Sequence, residues 1–244
     1  MKYWHDEIIC KDHFARTKRN LPFVIVGYKF DYTDLEDKQI LDCLLNDSNE
    51  LSKKVNVGAA NDSTSYRSKD RLFANCIAGV VSEYCWKHFL NYKKECVRAT
   101  PFVSASNQID LEVISNKKRV EVRSSFPRNG IPFAICHPDK EFDILGPYIN
   151  SYKPNEIKKD YYVRTLFHLA HPTDIIKKIK SKEFILYLTG GATYEMMFNP
   201  YTSLEKDLIP EDNFFVEYST SYMVVPFHCA LDCKQIYNLI KNES

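Results

Sequence analysis

Between residues 71 and 92 the apolar side chains fall at Phe73, Ile77, Val80, Val81, Tyr84, Cys85 and Phe89, the spacing of a helix that buries a wide stripe. A second helical period runs from Asp34 to Leu51 through Leu35, Ile40, Leu41, Leu44 and Leu45, after a short strand at Phe23–Tyr28. Beyond the long helix the period changes to two. Residues 108–114 and 119–125 each alternate apolar with polar, and Ser115-Asn116-Lys117-Lys118 between them suits a hairpin loop. Further strands are predicted at 132–136, 161–169 and 183–189, and a strand pair within 214–227. Helices are predicted at 173–180, capped by Thr173, and at 232–241. Residues 56–70 hold small and polar turn-formers and predict a loop. The pattern is α/β, with an N-terminal elaboration and loop over 1–70 and a core over 71–244.

Composition changes this picture little. At 44% hydrophobic and 27% charged, with 16 Tyr and 15 Phe, the chain has the material for a packed core and no low-complexity tract. The eight cysteines are irregularly spaced, several within apolar runs, which argues for free thiols that pack as small hydrophobes and against a disulfide framework. The opening MKYWHDEIICKDHF carries charges throughout, and no segment has the ~18 consecutive apolar residues of a membrane span. A cytoplasmic protein without a membrane segment is expected. The formal charge of +1 neither demands nor excludes nucleic acid. Lys53-Lys54, Arg67/Lys69/Arg71, Lys117-Lys118-Arg119 and Lys177-Lys178/Lys180/Lys182 are local basic groups with the chemistry to contact phosphates, although such runs are more often solvated faces.

The chemistry concentrates in the hairpin. Strand side chains alternate faces, so Asp110 and Glu112 share one face of the first strand, and Glu121 and Arg123 share one face of the second. Where the two polar faces coincide, Asp110, Glu121 and Arg123 meet at one end of a hairpin whose reverse face is apolar. Paired carboxylates on rigid strands suit a hard cation such as Mg²⁺, which prefers oxygen ligands and keeps waters and a substrate phosphate in its shell. Glu83, on the preceding helix, is in sequence range to join them. The same pattern is produced by an amphipathic hairpin with solvated Asp110, Glu112, Glu121 and Arg123 in ordinary cross-strand ion pairs.

Helix with Glu, strand with Asp, then strand with Glu-x-Lys resembles the PD-(D/E)XK restriction-endonuclease-like superfamily. The resemblance lies in GVVSEYCWKHFL (79–90), NQIDLEVI (107–114) and RVEVRSS (119–125), which together span about a fifth of the chain from first to last. It implies a restriction-endonuclease-like core with a central mixed β-sheet flanked by helices. It further implies Asp110 and Glu121 as metal ligands, Glu83 as the helix carboxylate, and Arg123 at the usual lysine position. The implied activity is Mg²⁺-dependent hydrolysis of DNA phosphodiester bonds, with Mn²⁺ able to substitute, by a restriction or defence deoxyribonuclease acting as a homodimer. RNA is the alternative polymer, and a catalytically inactive nucleic-acid-binding or partner-binding module of the same fold is the alternative function. Two positions depart from the pattern. Ile109 replaces the proline, and Arg123, which stays protonated and favours bidentate phosphate contact, replaces the lysine.

Elsewhere, His228-Cys229 with Cys233 lacks a second paired-Cys motif and reads as packing more readily than zinc binding. Thr189-Gly190-Gly191-Ala192-Thr193 lacks the spacing of a phosphate-binding loop and reads as a turn. Ser124-Ser125 can touch phosphate or cap local backbone.

Overall fold

A computed structural model describes residues 1–9, 22–55, 68–102, 108–136, 143–149, 157–208 and 220–242. Seven strands form one mixed sheet. From edge to edge they are β1 (Lys2–Ile8), β2 (Phe23–Phe30), β8 (Phe184–Thr193), β7 (Tyr161–Leu166), β5 (Arg119–Ser125), β4 (Leu111–Val113) and β3 (Val97–Ala99). Only β5 and β7 run parallel; the other neighbours are antiparallel. A second sheet of three strands has the order β6 (Ile144–Tyr148), β10 (Thr220–Val225), β9 (Leu204–Leu208). The chain is thus α/β with a large mixed central sheet flanked by helices, and β1 and β2 from the first 70 residues continue that same sheet.

The alternation within the strands assigns each face its cover. On β2, Val26, Tyr28 and Phe30 join Val120, Val122, Tyr161, Val163, Leu186 and Leu188 in a core beneath α2 (Lys69–Leu90) and α6 (Cys233–Asn242). Phe23 and Ile25, displaced by an odd number of residues, join Tyr162, Leu166 and Ala192 on the opposite face, against α3 (Ile131–Cys136) and the three-stranded sheet through Ile144 and Val225. Trp86 fixes α2 to the sheet. Its indole is fully buried, and Nε1 donates to Thr165 Oγ1 on β7 at 3.1 Å. Ser68 caps α2 by accepting from the Arg71 amide, and Asp34 caps α1 (Leu35–Lys54) by accepting from the amides of Glu36 and Asp37. Helix α1 packs on α2, and its buried Asp37 pairs with the Met1 amino group beside β1 and accepts from the Asp31 amide just after β2. No helix among the described residues is long and apolar enough to cross a membrane.

Several expected elements differ. Residues 132–136 are helical, within α3, because a short apolar run has no period by which to tell strand from helix. The helix expected at 173–180 is a 3₁₀ turn, Pro172–Asp174, followed by α4 (Ile175–Lys178); its cap is His171, not Thr173. The segment Thr189–Thr193 is no turn but the end of β8. Its glycines serve close approach: Gly191 and Leu231 exchange two backbone hydrogen bonds at 2.8 Å, and Gly190 has a φ of +84° where a Cβ would run into the Leu231 carbonyl. Residues 56–67 of the expected loop, and 214–219 of the expected strand pair, lie outside the described residues. Cys43, Cys76, Cys85, Cys96, Cys229 and Cys233 are free thiols, whereas Cys136 is in a disulfide, a departure from thiols throughout.

Candidate functional site

The hairpin of β4 and β5 pairs Leu111 with Val120 and Glu112 with Arg119. Continued by one residue, this register sets Asp110 beside Glu121. The first strand is shorter than its alternation predicts because Asp110 itself interrupts the ladder. Its Oδ2 accepts the Val122 amide at 2.7 Å, a position otherwise open to a backbone carbonyl, while the Ile109 carbonyl accepts from Gln108 Nε2 at 2.9 Å and from Thr100 Oγ1. Asp110 is thereby held rigidly against β5.

Glu121 lies on the other face from Val120 and Val122 and is 7% exposed. Its Oε1 pairs with Arg123 Nη2 at 2.8 Å, and its Oε2 pairs with Lys159 Nζ at 3.0 Å. Lys159 is 2% exposed and enters from the segment just before β7, the strand parallel to β5. Arg123 also sits over the Tyr148 ring, 5.3 Å from its centroid. Sequence reasoning overlooked Lys159. Its only local signal was its place in Lys158-Lys159-Asp160 before an apolar strand, and the contact arises through the parallel pairing of two distant segments.

Glu83 approaches from α2. It lies beside the buried stripe of Ala78, Val81, Ser82 and Cys85, so its carboxylate emerges at the helix flank, half-buried. Burial pushes its pKa up to about 8, with the charge of Asp110 raising it further and Lys87 opposing. Asp110 is raised for the same reasons, burial first and then the charge of Glu121, against the Val122 amide and the cations Arg123 and Lys159. The three carboxylates therefore form a connected series, Glu83 to Asp110 to Glu121, in which the first two are electrostatically under-compensated and the third is neutralised by two cations.

Of the sequence-predicted residues, Asp110, Glu121 and Arg123 come together with Glu83 at the edge of the cluster. Glu112 does not belong to it: it pairs with Arg98 on β3 at 2.6 Å and with Lys117 at 3.6 Å. Ser125 Oγ accepts from Arg164 Nη2 at 2.7 Å. Cys233 is buried, donating to the Leu188 carbonyl and accepting from the Gly190 amide, which is a packing role.

Whether a divalent cation fits is decided by the donor set. Among the described residues no three His, Cys, Asp or Glu side chains are gathered into a preformed cage. A pair of carboxylates, one with its proton affinity raised by burial and then by the charge of the other, is nonetheless the oxygen-donor arrangement that Mg²⁺ uses when waters and substrate complete its shell.

A cleft of about 600 Å³ opens between α1 and α2 and ends at Asp110 and Glu83. Leu44, Leu51 and Lys54 line it from α1, and Gly79, Glu83 and Lys87, one turn apart, line it from α2.

No family model matches this chain, and no solved structure matches it. Part of it is 30% identical to an uncharacterized protein of Methanocaldococcus jannaschii, in a match that takes in 51% of this chain and 50% of that protein. The chain thus spans about half the length of the curated relative it matches.

Proposed function

We propose that the chain is a Mg²⁺-dependent endonuclease that hydrolyses DNA phosphodiester bonds, built on a restriction-endonuclease-like core. The observation that carries this reading is the meeting of Asp110 and Glu121 at the β4–β5 junction with Glu83 facing Asp110 from α2. Asp110 and Glu121 would hold the metal, with Glu83 joining directly or through a water. The bound ion would supply a water of lowered pKa and charge for the phosphoryl oxygens.

The protein's own groups have separate tasks. Arg123 offers a planar, permanently charged fork for a phosphate oxygen. Lys159 supports a role that Arg123 is unable to fill, because an ammonium exchanges its proton with a neighbouring water far more readily than a guanidinium does. Its 3.0 Å contact with Glu121 keeps it within the cluster. Cutting both strands of a duplex needs one site per strand, and we propose a homodimer on that ground. We place the protein in the cytoplasm because six of the seven cysteines among the described residues are free thiols, Cys136 being in a disulfide.

A second reading, a nucleic-acid-binding module without cleavage, draws support from the engagement of both Glu121 oxygens by cations. The two are separated by incubating the protein with double-stranded DNA, single-stranded DNA and RNA in Mg²⁺ and in Mn²⁺, beside Asp110→Ala and Glu121→Ala variants of verified folding. Metal-dependent cleavage lost in both variants supports the nuclease; salt-sensitive binding without cleavage of any polymer supports the module.

A further inference from the structure

The cleft between α1 and α2 has no part in the roles assigned so far, yet it ends at the metal-binding carboxylates. Its volume of about 600 Å³ is that of a site for one nucleotide-sized ligand, not for a double helix. Its walls are mainly apolar, with Tyr84 and Phe102 contributing aromatic rings.

Two features indicate the occupant. Gly79 stands in the middle of a 22-residue helix, where glycine costs roughly 1 kcal/mol relative to alanine. Its φ lies outside the left-handed region, and a Cβ built on it meets no described atom within 4 Å. Neither backbone conformation nor packing against the described residues calls for glycine there; what its missing side chain preserves is open space in the cleft. The second feature is Gln108. Its Nε2 donates to the Ile109 carbonyl at 2.9 Å, which fixes the orientation of the amide. Its Oε1 is buried and has no hydrogen-bond partner among the described residues. An orphaned amide acceptor costs on the order of 1–3 kcal/mol, which a ligand N–H would recover.

We propose that this cleft receives the unpaired base of a nucleotide next to the phosphate being cut, and that the base carries an exocyclic amino group donating to Gln108 Oε1. A base held in a Watson–Crick pair is stacked within the duplex and has no free face to insert, so the strand is single at this position. Adenine, cytosine and guanine carry such an amino group; thymine has a carbonyl in its place and donates only from N3–H, whose two flanking carbonyls repel an incoming Oε1. Lys54 and Lys87, exposed and lining the same cleft, supply cations for the nucleotide's phosphate. Adjacency to the cut rests on the nuclease reading above; occupancy of the cleft does not.

The test titrates the full chain, in EDTA, with dCMP, dAMP, dTMP and inorganic phosphate, followed by calorimetry, for the native protein, Gly79→Leu and Gln108→Leu. Loss of stacking and of the amide contact each weaken nucleotide binding by about tenfold. The expected result is binding of dCMP and dAMP at least about tenfold tighter than dTMP or phosphate, weakened by about tenfold or more by Gly79→Leu and levelled across bases by Gln108→Leu. Gly79→Leu removes a helix-breaking residue, so its melting temperature is expected not to fall; if it does fold poorly, Gln108→Leu alone decides. Equal affinity for all four ligands, no binding, or binding that neither variant alters overturns the proposal. Selective nucleotide binding with no cleavage of any polymer in Mg²⁺ would instead sink the nuclease reading and leave the cleft assignment standing. Cleavage unaffected by a Gly79→Leu variant that has lost nucleotide binding would overturn the adjacency to the cut and leave the nuclease reading standing.

Discussion

Asp110 and Glu112 sit two residues apart, and strand alternation puts them on the same face, yet they live in opposite electrostatic surroundings. Glu112 stands over the β3 edge of the sheet. Its slight burial is outweighed by hydrogen bonds from Arg98 and by the charges of Arg98 and Lys117, which hold its carboxyl below the usual range. Asp110 lies where the ladder has ended, between α2 and β5, and burial first and then the charge of Glu121 raise its carboxyl. The difference teaches that the period of a strand identifies a face but not an environment. The neighbour strand beyond Glu112 brings an arginine, while the helix beyond Asp110 brings another acid. An ordinary ion pair and a candidate metal ligand thus share three residues of chain.

The largest effect should separate the two carboxylates by activity. Replacing Asp110 or Glu121 with alanine is expected to lower Mg²⁺-dependent cleavage by roughly 10³-fold or more, the several kcal/mol that a correctly held metal contributes to the transition state. Glu112→Ala is expected to leave the rate within about twofold, the range of surface changes away from a site. Single-turnover rates on a labelled strand measure all three, and a Glu112 defect as deep as that of Asp110 would erase the distinction.

The next effect concerns Lys159. It is buried, and its removal leaves the enclosed Glu121 carboxylate paired with Arg123 but without the Lys159 charge. Breaking one side of a buried pair is expected to cost Lys159→Met about 3 kcal/mol, lowering the melting temperature by ~6–12 °C in a chain of this size. Arg98→Met, which breaks the exposed pair with Glu112, is expected to shift it by no more than ~2 °C. Thermal unfolding followed by circular dichroism compares them directly; equal shifts would mean that Lys159 is solvated.

How much of this was readable in the chain follows the same division. Strand β5 was legible to its ends, because Val120 and Val122 alternate with Glu121 and Arg123 between turn residues. Helix α2 was legible because its buried stripe repeats over six turns. Asp110, Glu121, Arg123 and Glu83 were found together because they occupy consecutive elements. Lys159 was not, since its contact with Glu121 depends on a parallel pairing that forms only after a crossover, and local periodicity carries no trace of such pairing. For the same reason β1 went unrecognised. Its KYWHDEI is half exposed at the sheet edge and lacks clean alternation, and it is the register with β2 that makes it a strand. The close approach of Gly190 and Gly191 to Leu231 was equally invisible, and their backbone freedom looked like a turn.

A third prediction uses the raised carboxyls. Glu83 in the folded chain titrates near 8, against an ordinary value of 4.5, and Asp110 is also raised. Between those limits the unfolded chain has already released protons that the folded chain retains, so the unfolded state binds fewer protons and stability falls as pH rises. The contribution of these two groups is fully favourable below about pH 4 and is lost by about pH 8. In EDTA, the double variant Glu83→Gln/Asp110→Asn is expected to gain stability over the native protein at pH 8 and to gain little at pH 5. On the proposed metal site, Mg²⁺ at pH 8 should raise the native melting temperature and leave the double variant unmoved, because that variant lacks the proposed ligand Asp110 and its neighbour Glu83. A stability difference between the variant and the native protein that does not change with pH would show that neither carboxyl is raised.

The smallest effect is the mirror image of the third. Glu112 is held below its ordinary pKa, so its stabilising share is present above the unfolded value and is lost as pH falls through the folded one, the opposite sign to Glu83. Its partners are largely exposed, Arg98 at 57% and Lys117 at 59%, so solvent and salt screen the interaction. Glu112→Gln is therefore expected to cost no more than about 0.5 kcal/mol at neutral pH, less at pH 3, and nothing measurable in molar salt. Guanidine-free urea unfolding at the two pH values, with and without salt, reads this sign. Glu112 and Asp110 moving in the same direction with pH would mean that the hairpin is one uniformly solvated surface, and the case for a metal site at its inner end would fall with the contrast.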